Sequence, residues 1–271
     1  MKTIIKSTVN SVFGAAGLAV VQQETVEKSN RGQIIDKELV RFIDQVEESL
    51  RQTVLPNLPK RKNRHQIMID CINFSLQPFF LINYLNEVLH VSGDVCEFGV
   101  SHGASTALFA NEILETSKHL YLYDSFEGLP KPTKKDILIN DIASLGSMDR
   151  YQGEMSHPKE RVLNRLSKVE FPIPRTHVIP GFIEKTYKTG NLPEEVSFAY
   201  VDFDFYEPIL IALNLLKNRM NPKGCILVDD YGYFSAGAKT AVDEFIAAEN
   251  GKFILTHPPE WGGKFVILRP A

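Results

Sequence analysis

Two apolar runs in this chain end in acids: Phe198-Ala199-Tyr200-Val201-Asp202-Phe203-Asp204 and Cys225-Ile226-Leu227-Val228-Asp229-Asp230. If the runs are neighbouring parallel strands, three or four carboxylates meet at one sheet edge, and such a cluster repels itself unless a cation occupies it. Hard oxygen ligands select Mg²⁺, Ca²⁺ or Mn²⁺, and the absence of paired His or nearby Cys argues against zinc. An ion there would bind a substrate oxygen, lower its pKa and orient it toward an electrophile. Asp202 or Asp204 would then take the proton as general base. The competing structural account makes Asp229 and Asp230 caps for the helix after Gly237, but it leaves Asp202 and Asp204 unexplained.

A second constellation lies upstream, in Val95-Cys96-Glu97-Phe98-Gly99-Val100-Ser101-His102-Gly103-Ala104-Ser105. This reads as a strand, a glycine turn and the start of a helix over Thr106 to Glu115. Gly99 and Gly103 allow the backbone to come close to a ligand at the carboxyl end of the sheet, where open α/β folds bind. The pattern is not the dinucleotide fingerprint G-x-G-x-x-G, and an acid at Glu97 suits a cationic or amino-bearing ligand better than a diphosphate. About twenty residues on, the run Leu122-Tyr123-Asp124 ends in an acid placed to accept hydrogen bonds from both ribose hydroxyls of an adenosine; a loop cap is the alternative. Glu97, Gly99, Gly103 and Asp124 together describe a nucleoside site. A methyl donor is the electrophile that such a site, beside a metal-bound hydroxyl, most naturally supplies. An NAD-dependent oxidoreductase would share the turn and the acid but would not explain the aspartates of the two later runs.

The elements that must carry these residues alternate in type. Strands are expected at Asp94 to Phe98, His119 to Tyr123, Thr176 to Pro180, Ser197 to Phe203, Gly224 to Val228, Lys252 to Thr256 and Lys264 to Leu268, with a helix at Gln77 to Leu89 before them. Doubly buried runs separated by helices predict an α/β fold with a mainly parallel, seven-stranded sheet, closed by an antiparallel C-terminal hairpin. The interval 126–168 has no clear strand and reads as a lid-like insertion over the acceptor. Within it Tyr151, Met155 and His157 read as packing, with His157 an alternative base. Ahead of the domain at 65–271, residues 1–64 form a helical extension and linker. One helix there spans Asp36 to Thr53, with Leu39, Phe42, Ile43, Val46 and Leu50 on one face. The basic run from Leu55 to Arg64 reads as a solvated linker. Val9 to Val21 reads as an amphipathic helix that packs on the domain or on a partner chain, making a homo-oligomer through the N-terminal helices one expectation; a secretory signal is the weaker alternative.

Composition narrows the partners. Thirty Lys+Arg against 33 Asp+Glu leave a formal charge of -3, so there is no basic field to draw nucleic acid or an anionic membrane. Cys71, Cys96 and Cys225 are odd in number and lack metal-site spacing, which favours reduced core residues and a cytoplasmic setting. A small hydroxyl-bearing acceptor fits best.

These residues resemble the macrocin O-methyltransferase family. The likeness runs through Glu97-Phe98-Gly99-Val100, Tyr123-Asp124-Ser125-Phe126-Glu127-Gly128-Leu129-Pro130, Gly181-Phe182-Ile183-Glu184-Lys185-Thr186, Val201-Asp202-Phe203-Asp204-Phe205-Tyr206-Glu207-Pro208, Pro222 to Gly232 and Ala236 to Phe245, covering roughly residues 65 to 250. It implies a Rossmann-like class I methyltransferase fold, S-adenosylmethionine as donor, Mg²⁺, and typically a sugar hydroxyl on a natural product as acceptor. Carried onto this chain, Asp202, Asp229 and Asp230 match the family's metal ligands, with Asp202 also a candidate base. Glu97, Asp124 and the Gly181-Phe182 segment match positions lining the donor site. Ser105 and Ser125, in the same turns, join Gly99, Gly103 and Asp202 in that candidate set. Where many members have two glycines after the first turn, this chain has His102-Gly103, and His102 reads as a turn residue. Catechol methyltransferases are similar at the acidic tips but place a lysine where this chain has Phe205, which disfavours a flat phenolic acceptor. A protein that binds the donor without turnover is the remaining alternative.

Overall fold

The computed structural model describes residues 32–56, 58–69, 75–189 and 191–271. The helix expected at Val9 to Val21, and Cys71, lie outside the described residues. Seven strands form one sheet in the order β3-β2-β1-β4-β5-β7-β6. They are β1 (Asp94–Phe98), β2 (Leu120–Asp124), β3 (Thr176–Pro180), β4 (Val196–Val201), β5 (Met220–Val228), β6 (Phe253–Thr256) and β7 (Val266–Pro270). The first five are mutually parallel, and β7 runs antiparallel to both β5 and β6, as the hairpin reading expects. Among the described residues no helix is long and apolar enough to cross a membrane.

Strand alternation divides the core into two layers. Val95, Phe198, Tyr200, Cys225 and Leu227 face one layer, while Cys96, Phe98, Ala199, Val201, Ile226 and Val228 face the other. The first layer holds α1 (Gly32–Thr53), α2 (Arg64–Ile69), α3 (Gln77–Glu87), α4 (Ala104–Ile113) and α5 (Lys159–Lys168); the second holds α7 (Tyr206–Leu216) and α8 (Ala236–Glu249). The short α6 (Ile183–Thr186) follows β3. Both strand faces are thus covered, which is why β4 is buried along its whole length. Cys96 and Cys225 are free and buried, as read from their apolar runs.

The expected apolar face of α1 is real, with Ile43, Val46 and Leu50 buried in the first layer. The basic segment behind it is not uniformly solvated. Arg64 is completely buried, its guanidinium spanning both oxygens of Glu112 at 2.7 Å and reaching Glu47 at 2.9 Å and the Pro59 carbonyl at 2.6 Å. Glu47 comes from α1 and Glu112 from α4, so Arg64 ties the N-terminal helix to the sheet layer through a planar fork that lysine lacks. Lys60, 75% exposed, keeps the predicted solvated character.

Candidate active site

The register Val201↔Val228 sets Asp202 and Asp229 side by side, one residue beyond β4 and β5. The pairing continues past the strands: Asp202 N–H donates to the Phe98 carbonyl at 2.7 Å, and Asp229 N–H donates to the Val201 carbonyl at 2.9 Å. A cavity of about 320 Å³ opens at this edge, and Asp124, Glu184, Asp202, Asp204, Asp229 and Asp230 all line it. Backbone strain gathers here. Ser101 (φ 49°), Phe126 (56°), Asp204 (62°) and Asp230 (52°) take left-handed conformations just after β1, β2, β4 and β5.

The four aspartates form a crowded group, Asp229 buried and Asp202, Asp204 and Asp230 half-buried. Burial, then the neighbouring Asp229, Asp204 and Asp230, pushes the Asp202 carboxyl far above the ordinary range. Burial raises Asp229 as well, lifts Asp204 to about 7, and lifts Asp230 to about 9 with Asp229 and Asp204 adding repulsion. Two neutral donors hold Asp229: the Tyr200 hydroxyl at 2.7 Å and the Gln77 side-chain amide at 2.8 and 2.9 Å from its two oxygens. Tyr200 also reaches Asp202 at 3.2 Å. Neither Tyr200 nor Gln77 was singled out in the sequence. Tyr200 was available from strand alternation, two residues before Asp202; Gln77 carried no signal, because its contact crosses 152 positions.

The capping account of Asp229 and Asp230 fails on geometry. Ser235 caps α8, its hydroxyl accepting from the Gly237 N–H at 2.9 Å. All-oxygen donors with uncompensated charge suit a hard divalent cation. Among the described residues no three His, Cys, Asp or Glu side chains already stand in a ligating arrangement; Asp229 is turned toward Gln77 and Tyr200 instead.

The residues expected at a donor site divide into a lining set and a supporting set. Gly99, Ser105, Asp124, Ser125 and Phe182 line the cavity, as do His102 and Met155. Asp124 lines the cavity and also caps the loops around it, Oδ2 accepting from Val100 and Ser101 N–H groups at 2.7 and 2.8 Å and Oδ1 from Phe126 N–H at 2.6 Å. Glu97, Gly103 and Gly181 are not on the cavity wall. Glu97 is fully buried behind the turn, accepting the Ser105 and Thr106 hydroxyls, and burial pushes its carboxyl up to about 8. Packing also demands these glycines. A Cβ on Gly99 (φ +88°) would lie 1.9 Å from the Asp202 carbonyl oxygen, and one on Gly103 would lie 3.1 Å from Val162 Cα on α5. Gly181 continues the β2–β3 pairing through its N–H to the Asp124 carbonyl at 2.9 Å.

In the 126–168 segment, Gly128, Leu129, Pro130, Ile142 and Met155 reach the cavity. Tyr151 is packing, completely buried with its hydroxyl on Asp141 and the Ala143 N–H. His157 stands edge-on to His102, ring centroids 5.4 Å apart, and burial lowers its pKa. It is absent from the cavity wall, which weighs against it as a base.

With this geometry in place, comparison with known proteins is informative. The family model of macrocin-O-methyltransferases (TylF) matches residues 81–257. A curated relative from Streptomyces olivaceus, 8-demethyl-8-(2,3-dimethoxy-alpha-L-rhamnosyl)-tetracenomycin-C 4'-O-methyltransferase, is 27% identical over 145 residues. That match takes in 52% of this chain and 54% of the relative, so the chain spans about half the relative's length. Among solved structures, the O-methyltransferase NovP superposes with TM-score 0.61 at 20% identity, covering 72% of this chain and 80% of that one. The calicheamicin methyltransferase CalS11 gives 0.57 at 19% identity, with 93% and 98% covered. The Podospora anserina methyltransferase PaMTH1, bound to SAH, gives 0.52 at 14% identity, with 94% and 100% covered. At such identities the likeness establishes the fold, that of the class I O-methyltransferases.

Proposed function

This chain belongs to the macrocin O-methyltransferase family, and on that premise we propose that it moves the methyl group of S-adenosylmethionine to a hydroxyl of a sugar or related natural product, aided by a hard divalent cation. The observation that carries the reading is the convergence, in one cavity, of the glycine turn and Asp124 with four aspartates from two neighbouring strand tips. The S. olivaceus relative is named for methylation of a rhamnosyl group, and PaMTH1 is described with SAH, the demethylated donor. Both support the choice of donor and acceptor class.

Asp202, Asp229 and Asp230 would hold the cation, which when bound supplies Lewis acidity that lowers the pKa of the acceptor hydroxyl. Asp124 and the backbone of the Gly99 turn position the nucleoside. Ser105, Ser125 and Phe182 complete that side of the cavity. S-adenosylmethionine held there would supply the methyl group to the acceptor oxygen and leave as a neutral thioether, while Asp202 or Asp204 would take the hydroxyl proton. Leu129, Ile142 and Met155 of the 126–168 segment give the acceptor side an apolar wall that excludes water. Phe205, buried in the core where catechol enzymes carry a lysine, supports a non-phenolic acceptor.

The test is transfer of isotopically labelled methyl from S-adenosylmethionine to a panel of glycosides, with and without chelator and Mg²⁺ add-back. Label transfer that chelator abolishes and Mg²⁺ restores is expected. Donor binding without transfer to any acceptor would make this a binding protein, and chelator-insensitive transfer would remove the cation from the reading.

A further inference from the structure

We propose that Gln77 is a positioning residue for the acidic cluster, restricting the rotation of the Asp229 carboxylate without cancelling its charge and so strengthening its hold on the cation; this rests on the ion reading above. Three observations converge on this side chain. Its Nε2 lies 2.8 and 2.9 Å from the two oxygens of Asp229, so one donor spans the whole carboxylate. Its Oε1 accepts the Lys264 backbone N–H at 2.9 Å. A backbone donor cannot change roles, so the amide has one orientation, with its donor end toward Asp229. Third, the loop before β7 is shaped around it: a Cβ on Gly263 (φ +143°) would lie 2.7 Å from Oε1.

The base of the side chain is equally fixed. Gln77 is the first residue of α3, Pro78 follows it, and its N–H donates to the Ser75 hydroxyl at 3.1 Å. Tyr200 completes the clamp from the sheet, bridging Asp229 at 2.7 Å and Asp202 at 3.2 Å. Both clamping groups are uncharged, and that is the point of the arrangement. A lysine or arginine at position 77 would orient Asp229 equally well but would cancel the charge that attracts a cation. A neutral amide and a phenol restrict the carboxylate's rotation and leave its charge in place. Groups that orient a metal ligand in this way commonly set metal affinity within 10–100-fold.

The experiment measures Mn²⁺ binding to the ligand-free full chain by the loss of the free-ion electron paramagnetic resonance signal. Gln77→Met keeps the volume and removes both hydrogen bonds, and Tyr200→Phe removes the second clamp with little change of shape. Each variant is expected to bind Mn²⁺ about 10–100-fold more weakly than the wild type. Each variant should still melt cooperatively, at a modestly lower temperature, and keep wild-type affinity for S-adenosylhomocysteine, which a loss of fold would lower. Wild-type affinity in Gln77→Met or in Tyr200→Phe would overturn the proposal. A wild-type protein that binds no Mn²⁺ would overturn the ion reading itself, and this inference with it.

Discussion

Gly99→Ala separates two explanations of the glycine turn. If glycine is there so that a ligand can approach, alanine should weaken donor binding and leave the ligand-free protein as stable as before. The structure gives a different cause, because the added Cβ would meet the Asp202 carbonyl oxygen at 1.9 Å and its carbon at 2.6 Å, both backbone atoms. Holding a residue with a Cβ at φ +88° costs about 1–2 kcal/mol. Relieving the overlap by moving strand tips adds about 1–3 kcal/mol. The sum is about 2–5 kcal/mol, which for a domain of this size lowers the melting temperature by about 4–20 °C. Calorimetry on the ligand-free protein reads it directly. Gly153→Ala is the control, since Gly153 has φ +82° and nothing within 4 Å of the added carbon, so it reports the backbone share alone. A Gly99→Ala protein melting no lower than Gly153→Ala would refute the packing explanation.

Three further outcomes follow from the same geometry. Arg64→Met removes the cation that Glu47 and Glu112 share but leaves Arg51 beside the first and Arg61 beside the second, so urea unfolding should show a loss of about 2–4 kcal/mol; a loss below about 1 kcal/mol would show the network to be weak. Glu97, raised to about 8 in the fold from an ordinary 4.5, binds a proton more tightly folded than unfolded, so its contribution falls as pH rises from about 4.5 to about 8 and is level outside that window. The melting temperature of Glu97→Gln relative to wild type should therefore climb between pH 5 and pH 8, and a pH-independent difference would contradict the burial argument. Asp202→Asn removes one of four crowded acids, so the ligand-free variant should melt no lower than wild type while labelled methyl transfer is lost. Retained transfer would exclude Asp202 from the chemistry.

The sheet was legible because burial on both faces writes itself into Phe198 to Val201 of β4 and Cys225 to Val228 of β5 as apolar runs, and the acids that stop those runs mark the edge where ligands bind. Pattern also placed Asp202 beside Asp229, since parallel neighbours end together. What pattern could not supply was direction. Glu97 alternates onto the α4 side of the sheet and meets Ser105 and Thr106 there, a fact that depends on how closely α4 packs. Arg64 looked like part of a solvated run because its partners, Glu47 and Glu112, stand 17 and 48 positions away in sequence. Gln77 was missed for the same reason: its importance lies in what it touches, which no local periodicity encodes.

The site is rigid for a reason that also makes it costly. Hydrogen bonding between neighbouring strands runs one residue past their ends, through Gly99 N–H to Tyr123, Asp202 N–H to Phe98, Asp229 N–H to Val201 and Gly181 N–H to Asp124. The donor turn and the acid tips therefore share one register, and Gly99 allows the first to press directly on the second. Aspartates on free loops would relieve their repulsion by splaying apart. Here the backbone forbids it, and Asp204 and Asp230 are held in left-handed conformations besides. Repulsion that cannot relax through movement is relieved only by a proton or by a cation. On the proposed reading a bound cation would draw on this stored strain, and the stability sacrificed at this edge would become affinity for positive charge.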